Sequence, residues 1–512
     1  MGFLRFVLKL ALVCVALIIL ARLLFPLPSL ENRIPSQALP AAPETPLSRA
    51  LQPEAGAHPG LTGIRPLHHG AEAYAARMLL ARAATRSIDV RYYIWQRDLT
   101  GLPLLDELRA AAERGVRVRL LVDDNGTSDL DTELAALNAL PSAEVRIFNP
   151  FTLRKPRMLS YAFDFPRLNR RMHNKSFTVD GAATIIGGRN IGDIYFSRAA
   201  DTQFADFDLL ATGAILPEVD ADFDAYWNSG SAYPHELLVK PVATDAARFA
   251  AAVAEAHAAP DSGRYDAALR DTRLVADLLA GKPIFEWVPV QLVSDDPAKG
   301  LGPVAPEALM LGRLAAIVGT AEQRLDLVSA YFVPGKRGVE VLTGLAARGV
   351  KVRTLTNSLE ATDVLPVHAS YVKYRKALLE GGVEVYELKR SPASAESAER
   401  LGLLGSSGAS LHAKTFALDD NRIFVGSFNF DPRSVLLNCE MGFLIQSPGL
   451  ATAMRESFDS HLGETSWRVT EARDGLVWSD GSGVPRTDEP GTSLFHRIAL
   501  TVIGFLPVEW MM

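Results

Sequence analysis

The chain has 512 residues, of which 48% are hydrophobic and 22% charged, and its 53 basic and 59 acidic side chains give a formal net charge of −6. This composition excludes a wholly disordered or collagen-like chain, and the length allows two or more domains. A mildly acidic chain is not expected to bind nucleic acid, because attraction to phosphates favours a basic surface. The two cysteines, Cys14 and Cys439, predict neither a disulfide framework nor a cysteine zinc site.

Residues 1–28 form an apolar N-terminal segment that predicts a membrane anchor. Residues 6–25 reach the length of a membrane span if Lys9 and Arg22 extend from the two ends toward the headgroups. A cleaved signal peptide is the alternative, although the ARLLFPLP sequence that follows is a poor cleavage site. The basic residues before the apolar run favour a cytoplasmic N-terminus, with the body of the protein on the outer side.

Three other segments lie outside the predicted catalytic body. Residues 29–66 contain prolines throughout and predict a semi-rigid linker that makes no core. Residues 231–299 include an alanine-rich stretch with helical spacing and predict a helical connector. Residues 471–512 predict a tail with an apolar helix, which we interpret as a core or dimer helix in preference to an interfacial helix with Trp510 at the headgroups.

The remainder of the chain is internally duplicated. The sequence SIDVRYYIW around Asp89 matches RLDLVSAYF around Asp326 at an offset of 237 residues, and MHNKSFTVD matches LHAKTFALD at 239. The repeats define two related halves, residues 67–230 and 300–470. Apolar β-rich runs alternate with amphipathic helices in each half. This pattern predicts an α/β fold of two tandem lobes, each a mixed sheet flanked by helices, after the N-terminal membrane helix.

Each half contains one copy of an H-x-K-x-x-x-x-D motif. In an extended strand, residues i and i+2 face the same side, so each histidine should project beside its lysine. One such motif is weak, but two copies suggest a single site across a pseudo-twofold interface with one histidine from each half. The motif residues are His173, Lys175 and Asp180 in the first half, and His412, Lys414 and Asp419 in the second.

A short polar sequence follows each motif. Gly188 in the first half and Ser427 in the second are small enough for close backbone approach, and they precede Asn190 and Asn429. Each asparagine lies ten residues after the aspartate of its motif. We therefore expect both asparagines to return to the site.

These residue types fit phosphoryl chemistry on a phosphodiester. Histidine serves as nucleophile or as general acid and base near neutral pH, whereas lysine and asparagine suit the oxygens of a phosphate. One histidine would attack phosphorus to give a phosphohistidine while the other protonates the leaving alcohol. No carboxylate-rich triad accompanies the motifs, and two ammonium groups would repel a divalent ion. The sequence therefore predicts no metal and no cofactor.

A nucleophilic imidazole needs its second nitrogen hydrogen-bonded to fix the tautomer. Asp206, which lies 33 residues after His173, aligns with Glu440 in the other half, and both are candidate orienting carboxylates. Asp208 is the rival of Asp206. Asp180 and Asp419 follow the motif strands and more plausibly anchor turns than contact substrate.

The paired motifs resemble the phospholipase D superfamily over most of residues 67–470. The sequences RLNRRMHNKSFTVDGAATIIGGRNIGDIYF, LHAKTFALDDNRIFVGSFNFDPRS and LPVEWMM are more similar still to bacterial C-type cardiolipin synthases. The resemblance implies His173 as nucleophile and His412 as general acid and base, although the symmetric motif leaves the reverse assignment open. It also implies that the two lysines and two asparagines bind the phosphate.

The same resemblance implies a phosphatidyltransferase that forms cardiolipin on phosphatidylglycerol, with phosphatidylethanolamine as a candidate donor. It implies a bacterial inner membrane location, which the orientation above would make periplasmic, and it leaves the need for an accessory protein open. Asp363, His368, Tyr371 and Arg375 lie in a stretch similar to the C-type enzymes and are candidate headgroup contacts. An amphipathic helix with an exposed polar face explains them equally well.

Two other functions remain open on the sequence alone. A hydrolase of the same superfamily, either a phospholipase D that releases phosphatidic acid or a nuclease, would use the same histidines. The acidic body argues against the nuclease, although Arg167, Arg170 and Arg171 could line a local basic groove. A catalytically silent membrane scaffold is less consistent with two intact motifs.

Overall fold

A computed structural model describes residues 2–196, 204–282, 284–390, 410–473, 475–481, 484–506 and 509–511. The helices, α1 to α16 in chain order, are Gly2–Leu24, Pro46–Ala57, Gly70–Ala83, Gly101–Glu113, Asp131–Asn138, Tyr161–Leu168, Leu216–Trp227, Asp245–Ala258, Gly263–Asp271, Leu274–Leu279, Met310–Gly319, Gly335–Ala347, Leu365–Glu380, Pro432–Leu436, Pro448–Thr465 and Leu494–Phe505. The strands, β1 to β20, are Thr62–Leu67, Ser87–Ile94, Arg117–Gly126, Ala143–Phe148, Ser176–Val179, Ala183–Gly187, Phe204–Ala205, Asp208–Gly213, Ala232–Pro234, Glu286–Val288, Val290–Ser294, Arg324–Ser329, Lys351–Asn357, Glu384–Leu388, Ser410–Leu411, Lys414–Leu418, Arg422–Gly426, Met441–Ile445, Ser466–Ala472 and Gly475–Ser479.

Two mixed sheets with the same strand pattern form the two lobes. The first has the order β10-β1-β8-β6-β5-β2-β3-β4-β9, and the second has the order β11-β18-β17-β16-β12-β13-β14-β19-β20. In the first sheet β2, β3 and β4 are parallel, and β12, β13 and β14 repeat this arrangement in the second. Helices flank both sheets. The prediction of two tandem α/β lobes with mixed sheets is confirmed.

The lobes share one apolar core in addition to the core of each. Ile186 and Leu209 of the first sheet belong to the same buried cluster as Val425 and Phe443 of the second. The backbones also meet, because the His173 amide donates a 2.8 Å hydrogen bond to the carbonyl oxygen of residue 439. Burial of this much apolar surface holds the two halves in one fixed arrangement.

The segment of residues 29–66 is not the core-free linker that its prolines predict. Helix α2 buries Leu47 and Leu51 against the first lobe, and β1 pairs with β8 along its whole length. The prolines are compatible with these elements because Pro46 occupies the first turn of α2. Pro66 has no N–H group to donate. It lies outside the part of β1 that pairs with β10, so no hydrogen bond to β10 is lost.

Two further boundaries differ from the sequence interpretation. The connector, residues 231–299, contains α8, α9 and α10, but β9 and β10 add to the first sheet and β11 opens the second. The tail, residues 471–512, begins inside β19, and β20 pairs with it. Short strands of three to seven residues carry too little periodicity to be recognised beside long helical patterns.

The two apolar terminal helices are both exposed. Helix α1 has 23 residues, is apolar enough to cross a membrane and is not buried against the rest of the chain. Helix α16 packs beside α13 but leaves much of its apolar surface open. The preferred interpretation of α16 as a core helix is therefore wrong for this chain.

Candidate active site

The two motif strands lie in the middle of the two sheets. β5 lies between β2 and β6, and β16 lies between β12 and β17. Phe177 and Phe416, two residues after the motif lysines, pack into the cores of their own lobes. Because a central strand is held on both edges, the histidine and lysine at its start have a fixed position.

The motif aspartates hold the turns at the far ends of these strands. Asp180 and Asp419 have φ angles of +53° and +51°, and their carboxylates accept backbone N–H groups that precede β2 and β12. Asp180 accepts from Arg86 at 2.8 Å, and Asp419 accepts from Gln323 at 2.8 Å. Neither carboxylate is placed among the histidines and lysines. This geometry supports the turn-anchoring role.

Each histidine is hydrogen-bonded to a carboxylate from the other lobe. Nδ1 of His173 lies 2.8 Å from Oε2 of Glu440, and Nδ1 of His412 lies 2.5 Å from Oδ2 of Asp206. All four side chains are buried. A carboxylate on Nδ1 fixes the tautomer that leaves Nε2 for chemistry. The site is thus built across the interface, and neither lobe contains a complete pair.

The two carboxylates have different surroundings. A side-chain carbon on Gly188 would lie 2.1 Å from Oδ1 of Asp206, so that position requires glycine. The equivalent Ser427 donates its hydroxyl to Oε2 of Glu440 at 2.5 Å, and Ser434 donates to Oε1 at 2.9 Å. Glu440 therefore has hydroxyl donors on both oxygens in addition to the imidazole.

The lysines and asparagines of the motifs are buried beside the imidazoles. Nζ of Lys175 donates to the carbonyl oxygen of His173 at 2.7 Å, and Lys414 makes the equivalent contact in its own motif. Oδ1 of Asn190 accepts the backbone N–H of Ile94 at 3.2 Å, which fixes the oxygen end of that amide. Two ammonium groups with amide donors beside them suit a phosphodiester anion.

Burial makes both imidazoles weak bases. It lowers the pKa of His173 to about 4, although Glu440 opposes the shift. Burial, reinforced by Lys414 and Lys175, lowers the pKa of His412 well below its ordinary value. Neutral imidazole is the form that can act as a nucleophile.

The lysine and carboxylate pKa values are also displaced. Burial lowers the pKa of Lys175 to about 7 and lowers that of Lys414. Burial raises the pKa of Asp206. Burial acts in the same sense on Glu440, but His173, Lys175 and the Ser427 hydroxyl outweigh it, so the pKa of Glu440 is lowered. Glu440 is accordingly the more firmly ionised of the two carboxylates.

Two aromatic rings that the motif analysis did not select enclose the histidines. The Tyr93 ring meets the His173 ring edge-on at a centroid distance of 5.0 Å, and the Tyr195 ring meets His412 at 5.2 Å. Each ring covers one side of the imidazole that it contacts. Isolated tyrosines carry no spacing signal, so only the fold reveals them.

Some candidates lie elsewhere. The structure contradicts the headgroup contact of Tyr371 and Arg375, because both are buried in the second lobe and bond to Glu387. His368 is likewise buried, with Nε2 2.9 Å from Glu489. The sequence does not distinguish a polar helix face that packs against a buried glutamate from a polar helix face that meets solvent. Asp363 remains exposed near Lys414 and accepts a 2.7 Å hydrogen bond from the Tyr331 hydroxyl.

The remaining polar candidates have other partners. Asp208, the rival of Asp206, pairs with Arg77 at 2.8 Å. The arginines proposed for a basic groove are also engaged: Arg167 with Asp164, Arg170 with backbone carbonyls, and Arg171 with Asp123. No group of three or more metal-ligating side chains converges anywhere in the part of the chain that the structure describes.

Two α/β lobes that share paired histidines, lysines and carboxylates define an enzyme of the phospholipase D superfamily. The family model for the cardiolipin synthase, PLD-like domain matches residues 79–227 and 314–462, and the chain belongs to this family. It is a phosphatidyltransferase of phospholipase D type, and its family and its exposed α1 associate it with a membrane.

The chain is 44% identical to cardiolipin synthase C of Escherichia coli strain K12 over 470 residues, which cover 91% of this chain and 99% of that protein. It is 32% identical over 469 residues to a Helicobacter pylori protein described as uncharacterized, which covers 89% of this chain and 90% of the relative. The crystal structure of the phosphatidylserine synthase of Haemophilus influenzae superimposes with a TM-score of 0.57 and 16% identity. This match covers 91% of this chain and all of that one, and it supports the fold alone.

Proposed function

We propose that this protein synthesises cardiolipin by moving a phosphatidyl group onto phosphatidylglycerol through a phosphohistidine on His173. The observation that carries the proposal is the inequivalence of the two histidine–carboxylate pairs. Ionised Glu440 accepts the Nδ1–H of His173 and offsets the positive charge that this ring gains when Nε2 bonds to phosphorus. Similarity to cardiolipin synthase C supports the lipid assignment.

In the first half-reaction Nε2 of His173 attacks phosphorus, and the bond from phosphorus to the headgroup oxygen breaks. His412 delivers a proton to that oxygen as it leaves. A bound phosphodiester anion raises the pKa of His412, because its charge offsets the repulsion from Lys414 and Lys175. The lysines and the asparagines, Asn190 and Asn429, bind the phosphoryl oxygens through both steps.

In the second half-reaction the acceptor hydroxyl loses its proton to His412 and attacks the phosphohistidine. The nitrogen–phosphorus bond then breaks and His173 returns to its neutral form. Phosphatidylglycerol is the proposed acceptor because it supplies a free glycerol hydroxyl, and phosphatidylethanolamine is a proposed donor. Water in place of the hydroxyl would release phosphatidic acid.

Expression in bacterial cells that lack cardiolipin tests the reaction. The proposal predicts new cardiolipin in the lipid extract of cells that express the chain, and none with His173→Ala at equal expression. Phosphatidic acid without cardiolipin would instead assign hydrolysis. Feeding headgroup-labelled phosphatidylethanolamine and measuring released ethanolamine would identify the donor.

We place the enzyme at the bacterial inner membrane, with the N-terminus in the cytoplasm and both lobes in the periplasm. Arg5 and Lys9 at the start of α1 support this orientation through the positive-inside rule. Protease treatment of spheroplasts should digest the lobes. If the lobes resist the protease until the cells are lysed, the orientation is the reverse of the proposed one.

A further inference from the structure

Helix α16 presents an apolar surface to solvent. Leu494 and Phe495 are 76% and 72% exposed, and Ile498 and Val502 continue the same stripe one and two turns later. The half-buried residues, including Leu500, lie on the side toward α13. A helix at the surface of a soluble protein normally shows a polar face to water. Within the part of the chain that the structure describes, no other segment covers this apolar stripe.

The end of the membrane helix and the segment after α16 both contact α6. Arg22 near the end of α1 donates a 2.7 Å hydrogen bond to the carbonyl oxygen of Phe163 in α6, and the rings of Phe25 and Phe163 stack at 6.0 Å. On α6, Phe165 meets Trp510 edge-on at 6.3 Å, and Trp510 follows α16 within a few residues. Trp510, which follows the stripe in the chain, therefore packs against the same helix that the end of α1 contacts.

A second apolar projection precedes α6. Met158 and Leu159 are 69% and 56% exposed at a 3-10 turn. The turn is held in place because Arg157 pairs with Asp124 at 2.9 Å and with Asp131 at 2.6 Å. Ion pairs at the base keep the two apolar side chains directed outward in a fixed position.

The Trp510 segment is also attached to both lobes. Arg433 donates to the carbonyl oxygen of Met511 at 3.2 Å and to Oδ1 of Asn169 at 2.8 Å. Glu509 contacts the Tyr374 hydroxyl on α13. These bonds give the apolar surface a defined orientation relative to the catalytic lobes.

The turn that carries Met158 and Leu159 is followed by a hydrogen-bonded path to the catalytic site. On α6, the Tyr161 hydroxyl donates to Oδ1 of Asn125 at 3.2 Å, and Nδ2 of Asn125 donates to the Tyr93 hydroxyl at 3.1 Å. The Tyr93 ring in turn covers His173. Two hydrogen bonds therefore connect Tyr161, which directly follows the turn with Met158 and Leu159, to the ring that meets His173 edge-on.

We propose that this surface inserts into the headgroup region of a bilayer that contains anionic phospholipid. It forms a second membrane attachment beside α1 and holds the catalytic site near lipid. The exposed basic residue Lys155 suits anionic headgroups, as do Arg22 and Arg497, which also pair with Asp164 and Asp488. A tryptophan is favoured at headgroup depth. The docking does not depend on which reaction the site performs. The docking surface consists of Met158, Leu159, Leu494, Phe495, Ile498, Val502 and Trp510.

Fluorescence quenching in vesicles tests the docking directly. Full-length protein with Cys14→Ser is reconstituted into vesicles of phosphatidylglycerol and phosphatidylethanolamine, and Val502→Cys is labelled with bimane, because Cys439 is buried and unreactive. The matched control is Val242→Cys, since the two valines are 56% and 59% exposed. A nitroxide on the lipid headgroup or upper acyl chain should quench the label at 502 and leave the label at 242 bright.

Equal quenching at the two positions would overturn the proposal. So would a label at 502 that resists both lipid nitroxide and aqueous iodide, with crosslinks between copies, because a protein partner would then cover the surface. A second variant, Val502→Glu, should lower turnover of vesicle lipid by about tenfold while micellar short-chain lipid is still turned over. The quenching measurement does not require enzyme turnover. It therefore tests membrane docking independently of the proposed cardiolipin synthesis.

Discussion

His173 of the first lobe and Glu440 of the second form a buried hydrogen bond, with 2.8 Å between Nδ1 and Oε2. The converse pair, His412 with Asp206, crosses the interface in the other direction. Each lobe therefore supplies the group that orients the histidine of its neighbour. The duplicated chain works as one unit because neither half can fix the tautomer of its own imidazole.

Replacing Glu440 by glutamine should slow phosphoenzyme formation by about 10³- to 10⁴-fold. The amide keeps the shape of the side chain but no longer carries the charge that fixes the Nδ1–H tautomer and balances the developing cation. Rapid-quench trapping of labelled phosphoenzyme measures the rate, with Glu340→Gln on the exposed side of α12 as the control. Formation at the normal rate in Glu440→Gln would show that the cross-lobe pair has no part in the attack.

The pH dependence of kcat/KM should be bell-shaped. His173 must be neutral to attack, and its pKa of about 4 places the acid limb near that pH. Lys175 must be charged to hold phosphate, and its pKa of about 7 places loss of binding above that pH. In Lys175→Arg the guanidinium keeps its charge, so the alkaline limb should move upward. An alkaline limb that is identical in the two proteins would assign that limb to another group.

Chelation should leave the rate unchanged. Two buried lysine ammonium groups supply the positive charge on the phosphate that a divalent ion provides in many phosphoryl-transfer enzymes. Initial rates with and without EDTA, at constant ionic strength, make the comparison. A loss of activity that added magnesium restores would contradict the mechanism.

Leu47→Ala should lower the free energy of unfolding by about 2–4 kcal/mol, because Leu47 is fully buried where α2 meets the first lobe. The exposed Arg49→Ala in the same helix should change it by about 0.5 kcal/mol or less. Trp287 bonds to Glu54 of α2 at 2.8 Å, so tryptophan fluorescence during denaturant unfolding follows this region. Equal stability of the two variants would restore the interpretation of residues 29–66 as a linker.

Much of the fold follows from the sequence because the repeat and the β-α alternation are local patterns. The spacing within H-x-K fixes which side chains share a strand face, so the two histidines and two lysines could be named in advance. The cross-lobe partners could not be paired, because Asp206 and Glu440 are related to their histidines only through the packing of two sheets. The spacing of residues within the motifs likewise gives no information about Tyr93 and Tyr195.

The other incorrect predictions from the sequence have one physical cause. Sequence shows polarity but not which side of an element meets the core. Tyr371 and Arg375 looked like an exposed face, yet Glu387 satisfies them inside the second lobe. The apolar residues of α16 suggested burial in protein, yet they face outward. Short strands such as β1 depend on partners that lie more than a hundred residues away in the chain.

Location of the phosphoryl group on the trapped enzyme tests the central claim most directly. His412→Ala, given a phosphatidyl substrate with an activated leaving group, should accumulate an acid-labile phosphoenzyme, because attack no longer needs the general acid while the second step still needs the base. Peptide mass spectrometry should find the label on His173, and His173→Ala should give none. A label on another residue, or one that persists in His173→Ala, would contradict the account.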